Sequence, residues 1–359
     1  MTHIHNFFPG PGALPKQVIE RVKADIPEFN GTGMSLFELS HRSPRYQEVH
    51  DDASARVRRL LDVPENFSVL WLQGGGSMQF AMVPMNLLGG DKSADYVTTG
   101  TWSQRAIREA TTVGRAREAA SSAPDNFNYV PKQLDLDPDA AYVHITANNT
   151  IQGTQYHQYP DTGDVPLVAD MSSDLMWRPF DVSRFGIVYG GAHKNLGPAG
   201  VTIVMIRDDI LERCRRDLPT LLSYHTHVKY NSMFNTPVTF AIYFVRYTLQ
   251  WIEEQGGLVE MERRNRAKAK LLYETVDESG GFYRCPIKPE DRSVMNAVFN
   301  LPTPELENTF ITQAEAHAMM GLRNLPMRPG CRVSMYNAVS LDSVQVLADF
   351  MKEFQRTHG

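Results

Sequence analysis

The amino-acid sequence predicts an α/β protein with a large domain, built on a mainly parallel β-sheet flanked by helices, and a smaller C-terminal α/β domain. Short apolar, β-branched runs alternate with longer stretches of helical hydrophobic spacing. Glycine-rich turns join several of these strands to the following helix. A chain of 359 residues, 42% of them hydrophobic, is long enough for one large and one smaller core. Two long helical stretches interrupt the alternation, so we expect a large domain over residues 14–256 and a small domain over residues 257–359.

The composition and charge of the chain indicate which binding partners and which cellular compartment to expect. A net charge of −5 without a Lys- or Arg-rich block disfavours nucleic acid. The sequence contains no run of about 18 apolar residues and no basic segment followed by an apolar run, so we expect neither a membrane span nor a leader. The cysteines are widely spaced, which favours a reducing compartment and argues against a disulfide framework; they are Cys214, Cys285 and Cys331. We therefore expect a cytoplasmic protein that binds small molecules.

Two histidine pairs, His3/His5 and His225/His227, have a spacing that metal ligands can use. Neither pair has a carboxylate or a third ligand nearby in the sequence, so we favour histidines without a metal.

The first third of the chain contains two candidate anion sites. His41 and Arg42 lie in a polar turn just before an amphipathic helix, an arrangement that suits an anion, although a solvated turn is the favoured interpretation from these residues alone. A strand over residues 68–72 leads into QGGGS, residues 73–77, and then into a helix. Because glycines and free N–H groups at a helix N-terminus accommodate phosphate, we predict a phosphate site there. The stretch matches neither the P-loop nor the dinucleotide-binding fingerprint.

Polar or aromatic side chains also follow the next strands. Trp102 comes after a strand over residues 96–99, and Ser103 is a candidate N-cap of the following helix. A tryptophan in that place can stack on a planar ring, although most tryptophans are core residues. The strand over residues 142–146 leads into a turn in which Thr150 offers a hydroxyl group.

A carboxylate and a lysine complete this series. Asp170 ends a buried strand, where a carboxylate is costly without a partner; a protonated pyridine nitrogen would serve, and capping of the next turn is the alternative. Lys194 lies in GGAHKNLGPAG, between two apolar strands over residues 185–189 and 201–206. Glycines let a backbone and a ligand approach closely, so Lys194 suits a Schiff base with pyridoxal phosphate. Taken alone, the stretch fits an ordinary glycine-rich loop equally well.

The last third of the sequence predicts helices and two more strands. Thr236 as N-cap and Pro237 at the first helical position predict the start of a helix that ends near residue 254. A second helix over residues 258–278 follows. Strands over residues 297–301 and 332–336 then alternate with helices, as expected for a small α/β domain.

Several of these motifs, in this order, resemble the phosphoserine aminotransferase family, class V aminotransferases of the fold type I pyridoxal phosphate enzymes. The resemblance runs nearly end to end, through NFFPGPGALP, LSHRS, GGGSMQF, the Trp102 turn, NNTIQG, ADMSS, GAHKNLGPAG, SMFNTP and RVSMYNA. It implies a fold type I transferase, with pyridoxal 5′-phosphate as cofactor. We also expect the N-terminal segment, residues 1–13, to pack near the active site.

The resemblance implies roles for the residues around the cofactor. Lys194 would form the Schiff base and Trp102 would stack on the ring. Asp170 would pair with the pyridine nitrogen, and Thr150 would bond the phenolic oxygen.

The cofactor phosphate would be held from two sides. Gly76, Ser77 and His193 would bind it from the same chain. Asn235 and Thr236 would reach it from the partner subunit of a homodimer.

The family's reaction transfers the amino group of glutamate to 3-phosphohydroxypyruvate in serine biosynthesis, with the lysine as general base and acid. His41 and Arg42 resemble the residues that hold the substrate's phosphate or distal carboxylate. Arg332 resembles the one that binds its α-carboxylate, where a bidentate pair is the expected interaction.

The sequence departs from the family in the loop before Arg332. A His-Arg pair that helps hold the substrate phosphate is replaced by Leu325 and Pro326, and Arg328 is a candidate substitute. His193 stands where the family usually has Gln, and Ser77 where it often has Arg. These departures leave open a related aminotransferase that acts on a different acidic 2-oxo acid.

A pyridoxal phosphate lyase or desulfurase is a further alternative, because fold type I hosts those activities too. A desulfurase would need a cysteine on a mobile loop. Cys331 precedes Arg332, but next to a predicted strand we expect it to be buried.

Overall fold

A computed structural model describes residues 4–359 of the chain, with eleven strands and ten α-helices within that range. The strands are β1 (His5–Asn6), β2 (Phe67–Leu72), β3 (Ser93–Thr98), β4 (Arg115–Ser121), β5 (Val143–Thr146), β6 (Leu167–Asp170), β7 (Ile187–Gly191), β8 (Thr202–Arg207), β9 (Asn296–Phe299), β10 (Met319–Met320) and β11 (Cys331–Ser334). The helices are α1 (Lys16–Asp25), α2 (Pro44–Leu61), α3 (Gly75–Leu87), α4 (Thr101–Val113), α5 (Asp208–Arg213), α6 (Tyr224–Lys229), α7 (Thr239–Glu254), α8 (Gly257–Asp277), α9 (Pro304–Ala316) and α10 (Leu341–His358).

The large sheet has seven strands in the order β2-β8-β7-β6-β5-β3-β4. The pairs from β7 through β6, β5 and β3 to β4 are parallel, whereas β8 runs antiparallel to both β7 and β2. The predicted mainly parallel sheet is therefore confirmed. Since the carboxyl ends of parallel strands meet at one edge of a sheet, the turns after β3, β5, β6 and β7 lie together.

Buried apolar strands explain this architecture. Every residue of β5 and β6 is buried, as expected for parallel strands covered by helices on both faces. Strand β4 was not predicted. Only Ala119 of its seven residues is buried, and its sequence RAREAAS has no β-branched residue, so the edge strand lacks the apolar signal of the others.

Two predicted helix starts are wrong. Helix α7 begins at Thr239 instead of next to Thr236 and Pro237. The backbone there is held by other contacts, because the amide of Gln73 donates to the carbonyl of Thr236. Helix α4 begins at Thr101, and Ser103 lies inside its first turn, where its hydroxyl accepts from the N–H groups of residues 99 and 100.

The C-terminal part has its own apolar core. Strands β9 and β11 form an antiparallel pair against which α8, α9 and α10 provide buried side chains such as Leu272, Phe310 and Leu347. Strand β1 pairs in parallel with β10, so His5 and Asn6 join this part of the molecule. The division between residues 256 and 257 stays a prediction.

Candidate active site

Lys194 lies in the turn after β7 and is buried, with 8% of its surface exposed. Its amine donates to the hydroxyl of Thr150 over 2.6 Å. The same nitrogen lies 5.3 Å from the ring centroid of Trp102. The turns after three strands, β3, β5 and β7, thus converge on one amine.

Burial and neighbouring charges set the state of this amine. Burial lowers the pKa of Lys194 to about 8; the charge of Asp170 opposes this effect and that of Arg332 adds to it. Burial also raises the pKa of Asp170, whereas Lys194 and Ser172 pull it down. Asp170 accepts the N–H of Ser172 over 2.9 Å, which orients its carboxylate. An amine with this pKa is available as a base or nucleophile near neutral pH.

Arg332 brings a cation from β11 to the same turn. Its guanidinium donates to the carbonyl of Thr150 over 3.4 Å, and its Nε is buried without a hydrogen-bond partner among the described residues. Burial lowers the pKa of Arg332. A buried guanidinium with an unsatisfied donor has capacity for a carboxylate.

The N-terminus of α3 faces the turn after β6. A methyl group on Gly76 would lie 2.9 Å from the hydroxyl of Ser172 and 3.8 Å from a carboxylate oxygen of Asp170. The same Ser172 hydroxyl accepts a hydrogen bond from the N–H of Gly191 over 3.2 Å. The turn after β6 and the end of β7 therefore meet next to Gly76. The free N–H groups of a helix start are therefore held close to the carboxylate and the lysine turn.

Residues 9–12 lie against the lysine turn. Gly12 donates its N–H to the carbonyl of His193 over 2.8 Å, and a methyl group on Gly12 would meet the carbonyl oxygen of Lys194 at 2.5 Å. The hydroxyl of Tyr336 donates to the carbonyl of Pro9 over 2.6 Å. Burial, and then the charge of Lys194, lower the pKa of His193 to about 4, so its imidazole is neutral at pH 7.

Comparisons with known proteins place this geometry in a family. A model of the family described as Aminotransferase class-V matches residues 4–347. The chain belongs to the class-V aminotransferases. It is similar to the phosphoserine aminotransferase of Geobacillus kaustophilus, with 52% identity over 358 residues that cover 99% of each chain.

Solved structures are similar over the same extent. The phosphoserine aminotransferase of Bacillus circulans subsp. alkalophilus is 47% identical, with a TM-score of 0.98 and 99% of each chain covered. The PLP-bound phosphoserine aminotransferase of Trichomonas vaginalis is 38% identical, with a TM-score of 0.94, and the match covers 98% of this chain and 100% of that one. The predicted fold type I architecture of a class-V aminotransferase is confirmed.

The residues of this aminotransferase fit pyridoxal phosphate. The indole Nε1 of Trp102 is buried without a partner among the described residues, as is Arg332 Nε. The carboxylate of Asp170 and the aromatic face of Trp102 lie near the amine of Lys194, and Gly76 at the start of α3 lies beside Asp170. A planar, cationic ring carrying a phosphate matches this set of donors and acceptors.

Other predicted site residues are not joined to Lys194 by any contact among residues 4–359. His41 and Arg42 precede α2; the Nε2 of His41 is buried without a partner there, and Arg42 is exposed. Asn235 is half-buried, and Thr236 is exposed near the start of α3. Ser77 is exposed on the first turn of α3.

Arg328 binds elsewhere in the same chain. Its two terminal nitrogens donate to the carbonyl of Asn126 over 2.7 Å and to the side chain of Asn128 over 2.8 Å. Leu325 is 39% exposed on the same loop. In this arrangement Arg328 ties the loop to residues 126–128.

Cys331 is fully buried in β11, and burial raises the pKa of its thiol well above the usual range. Strand β11 is paired with β9 over its whole length. This thiol has neither the mobility nor the ionisation that a desulfurase nucleophile needs.

Sequence reasoning missed three contributors to the site. Asp174 is buried, and burial raises its pKa to about 7. Asn195 accepts the N–H of Asn337 over 2.9 Å, a contact between residues 142 positions apart. Asp174 directly follows the motif ADMSS, and the motifs GAHKN and YNA contain Asn195 and Asn337, but only the fold shows what these residues touch.

Two structural findings concern other ligand classes. Among residues 4–359, no helix is long and apolar enough to cross a membrane. The same residues contain no group of three or more His, Cys, Asp or Glu that could hold a metal ion. His3 lies outside the described residues; the ring nitrogens of His225 and His227 bond the carbonyls of Cys214 and Leu221.

Proposed function

We propose that this protein transfers the amino group of glutamate to 3-phosphohydroxypyruvate with pyridoxal 5′-phosphate, giving 2-oxoglutarate and O-phosphoserine in serine biosynthesis. The observation that carries the proposal is the convergence of Lys194, Asp170, Thr150 and Arg332 in one buried site. Similarity to phosphoserine aminotransferases over 99% of the chain supports the choice of substrates.

The cofactor would be held by residues at or after the ends of five strands, β2, β3, β5, β6 and β7. Asp170 would face the pyridine nitrogen, Trp102 the ring and Thr150 the phenolic oxygen. Its phosphate would bind at the N-terminus of α3, through the glycine-rich turn and neighbouring donors, namely Gly76, Ser77 and His193. When bound, the cofactor supplies an electron sink for the bonds at the substrate's Cα.

The protein's own groups bind the substrate and move its proton. Arg332 binds the α-carboxylate with its unsatisfied donors and so orients the Cα–H bond towards Lys194. The Nζ of Lys194, whose pKa of about 8 leaves about a tenth of the amines neutral at pH 7, accepts the Cα proton. The hydroxyl of Thr150 accepts a hydrogen bond from the Nζ of Lys194, which keeps the amine oriented into the site.

The substrate's second anionic group would bind at His41 and Arg42, with Arg328 a further candidate on the loop before β11. Asn235 and Thr236 would complete the phosphate site of the partner subunit in a homodimer. Side chains at the surface that have no role in their own site, such as Thr236, are expected for residues that act across an interface. We place the enzyme in the cytoplasm, where thiols stay reduced.

An acceptor screen tests the proposal. Purified protein with pyridoxal phosphate and glutamate is offered 3-phosphohydroxypyruvate, hydroxypyruvate, oxaloacetate and pyruvate, and formation of 2-oxoglutarate is measured. We expect the highest kcat/KM for the phosphorylated acceptor. Efficient turnover of oxaloacetate without turnover of 3-phosphohydroxypyruvate would assign the protein to a different acidic oxo acid, and turnover of pyruvate alone would refute an anionic second group.

A further inference from the structure

Three asparagine side chains bind three consecutive carbonyl groups in the turn after β6. Asn195 donates to Leu175 over 2.8 Å, Asn337 donates to Met176 over 2.8 Å, and Asn265 donates to Trp177 over 3.4 Å. This turn follows Asp170 directly. The three asparagines come from the lysine turn, from the segment after β11 and from α8, so three separate parts of the chain hold one short segment.

Asn337 is the centre of this cluster. Its backbone N–H donates to the side-chain oxygen of Asn195 over 2.9 Å, and its own side-chain oxygen accepts from Asn265 over 2.7 Å. Asn195 is the neighbour of Lys194 in the chain, and Asn337 lies five positions after Arg332. The hydrogen bond between the two asparagines therefore joins the lysine turn to the segment that carries the arginine.

Lys268 holds the segment in which Asn337 lies. The side chain is 1% exposed, and its ammonium donates to the carbonyls of Met335, Tyr336 and Val339 over 2.9, 2.8 and 2.9 Å. These acceptors lie on both sides of Asn337. Burial lowers the pKa of Lys268 to about 7, while three acceptors favour its protonated form, which alone has three donors.

We propose that Asn337, held by Lys268, is a positioning residue that fixes the distance between the guanidinium of Arg332 and the amine of Lys194. The proposal rests on the proposed function, since it assigns Arg332 to the substrate carboxylate and Lys194 to the Cα proton. This distance is set through one turn of backbone, in which the backbone N–H and both side-chain polar groups of Asn337 are hydrogen-bonded. A substrate whose carboxylate is bound by Arg332 presents its Cα–H bond to Lys194 at the correct distance only if this turn stays in place.

The expected size of the effect follows from the geometry of proton transfer. A displacement of about 1 Å at a reacting centre costs on the order of 100-fold in rate. Loss of a buried hydrogen bond alone lowers the stability of the fold, because polar groups are left without a partner, and leaves the rate unchanged. Rate and stability therefore separate a positioning role from a structural one.

The first test is kinetic. In Asn337→Ala, loaded with pyridoxal phosphate, we expect the rate of the glutamate half-reaction at saturation to fall about 10- to 100-fold, with a change in apparent affinity below about threefold. Asn86→Ala is the matched control: Asn86 is fully buried and donates to the carbonyls of Met82 and Leu222, at the far end of α3. It should lose similar stability to urea and keep the wild-type rate.

The second test uses the charge of Arg332. The positive charge of Arg332 disfavours a proton on the nitrogen of Lys194. With the cofactor bound at that nitrogen, a carboxylate at Arg332 would offset this charge and so would raise the pH midpoint of the cofactor's absorbance change. Saturating glutarate, which has no amine to react, should shift that midpoint upwards in the wild type and by less than half as much in Asn337→Ala. Asn195→Ala removes the acceptor of the hydrogen bond between Asn195 and Asn337. We expect it to show the same reduced shift as Asn337→Ala, so the test can be made with either variant if the other does not fold.

The outcomes distinguish this inference from the proposed function. If the wild type does not react with glutamate, the proposed function fails. If the wild type reacts and both variants keep its rate and its glutarate shift, the positioning role is refuted while the function stands. A rate loss in Asn86→Ala equal to that in Asn337→Ala would also refute it, because a general loss of stability would then explain both.

Discussion

The amine of Lys194 is surrounded by groups with opposing effects. Burial and the charge of Arg332 favour the neutral amine, whereas the charge of Asp170 favours the ammonium form, and the result is a pKa of about 8. A lysine in water would be almost entirely protonated at pH 7. The site thus provides an amine that can act as a base without strong alkali, and it does so with residues from the end of β6, the turn after β7 and the interior of β11.

His193 is the neighbour whose titration can be tested. Its folded pKa of about 4 lies below the ordinary value of 6.5, because burial and Lys194 disfavour the imidazolium. Between pH 6.5 and 4 the unfolded chain therefore binds more protons at this position than the folded chain. The stability contribution of a neutral His193 is complete above pH 6.5 and is lost as the pH falls towards 4.

We expect His193→Gln, which keeps a donor but cannot titrate in this range, to lose less stability than the wild type between about pH 7 and about pH 4. Urea unfolding at several pH values measures the difference. Other buried histidines, such as His144, titrate in both proteins and cancel in the comparison. Parallel stability curves for the two proteins would contradict the shifted pKa.

The start of α3 shows how an element places a binding group. Gly76 has room for hydrogen only, since a methyl group would lie 2.9 Å from Ser172 Oγ. That hydroxyl accepts from Gly191, and the N–H of Ser172 binds Asp170, so a displaced Ser172 would disturb both neighbours. Ser172 therefore supports both the predicted phosphate site at Gly76 and Asp170, the predicted partner of the pyridine nitrogen.

We expect Gly76→Ala to weaken pyridoxal phosphate binding by about 1–3 kcal/mol, the usual cost of overpacking, which is roughly 5- to 150-fold in Kd. Absorbance titration of cofactor-free protein measures it. Gly89→Ala, just beyond the other end of α3, adds the same methyl group at 3.7 Å from Arg215 and should bind like the wild type. Equal affinities in all three proteins would show that the start of α3 is not the phosphate site.

The sequence indicated most elements of the large sheet, and local physical reasons explain the failures. Residues such as Asp170 and Lys194 could be located because apolar strands with glycine or polar ends are a strong local signal. The start of α7 could not, because the contact of Gln73 with the carbonyl of Thr236 comes from another part of the chain. Strand β4 could not, because an exposed edge strand needs few apolar residues.

How the site residues are arranged was harder to predict than which residues belong to the site. The contacts that join its parts link residues far apart in sequence: Thr150 to Lys194, Arg332 to Thr150, and Asn337 to Asn195. No periodicity encodes such pairs. The resemblance to a family supplied candidate roles for Lys194 and Arg332, but the holding function of Asn337 follows only from three-dimensional contacts.

At the scale of the whole molecule, the proposed homodimer completes the site. His41, Arg42, Asn235 and Thr236 are assigned to substrate or cofactor, yet none has a contact with Lys194 among residues 4–359. Large apolar side chains near two of them are exposed, including Phe37 at 59% and Phe234 at 42%. Exposed apolar groups beside residues that lack a local function favour an interface with a second copy.

Subunit mixing decides whether Asn235 and Thr236 act across that interface. A dimer of Lys194→Ala subunits has no catalytic amine, and a dimer of subunits with both Asn235→Ala and Thr236→Ala has weakened phosphate sites. If the residues act across the interface, a mixed dimer has one site with Lys194 from the second subunit and both phosphate ligands from the first. Random exchange makes half of the dimers mixed, each with one intact site of two, so activity should recover to roughly a quarter of the wild-type value.

The measurement is transamination after co-refolding the two variants at equal amounts, with each variant refolded alone as the control. If Asn235 and Thr236 serve their own subunit, every site that has Lys194 also has the alanines, and mixing recovers nothing.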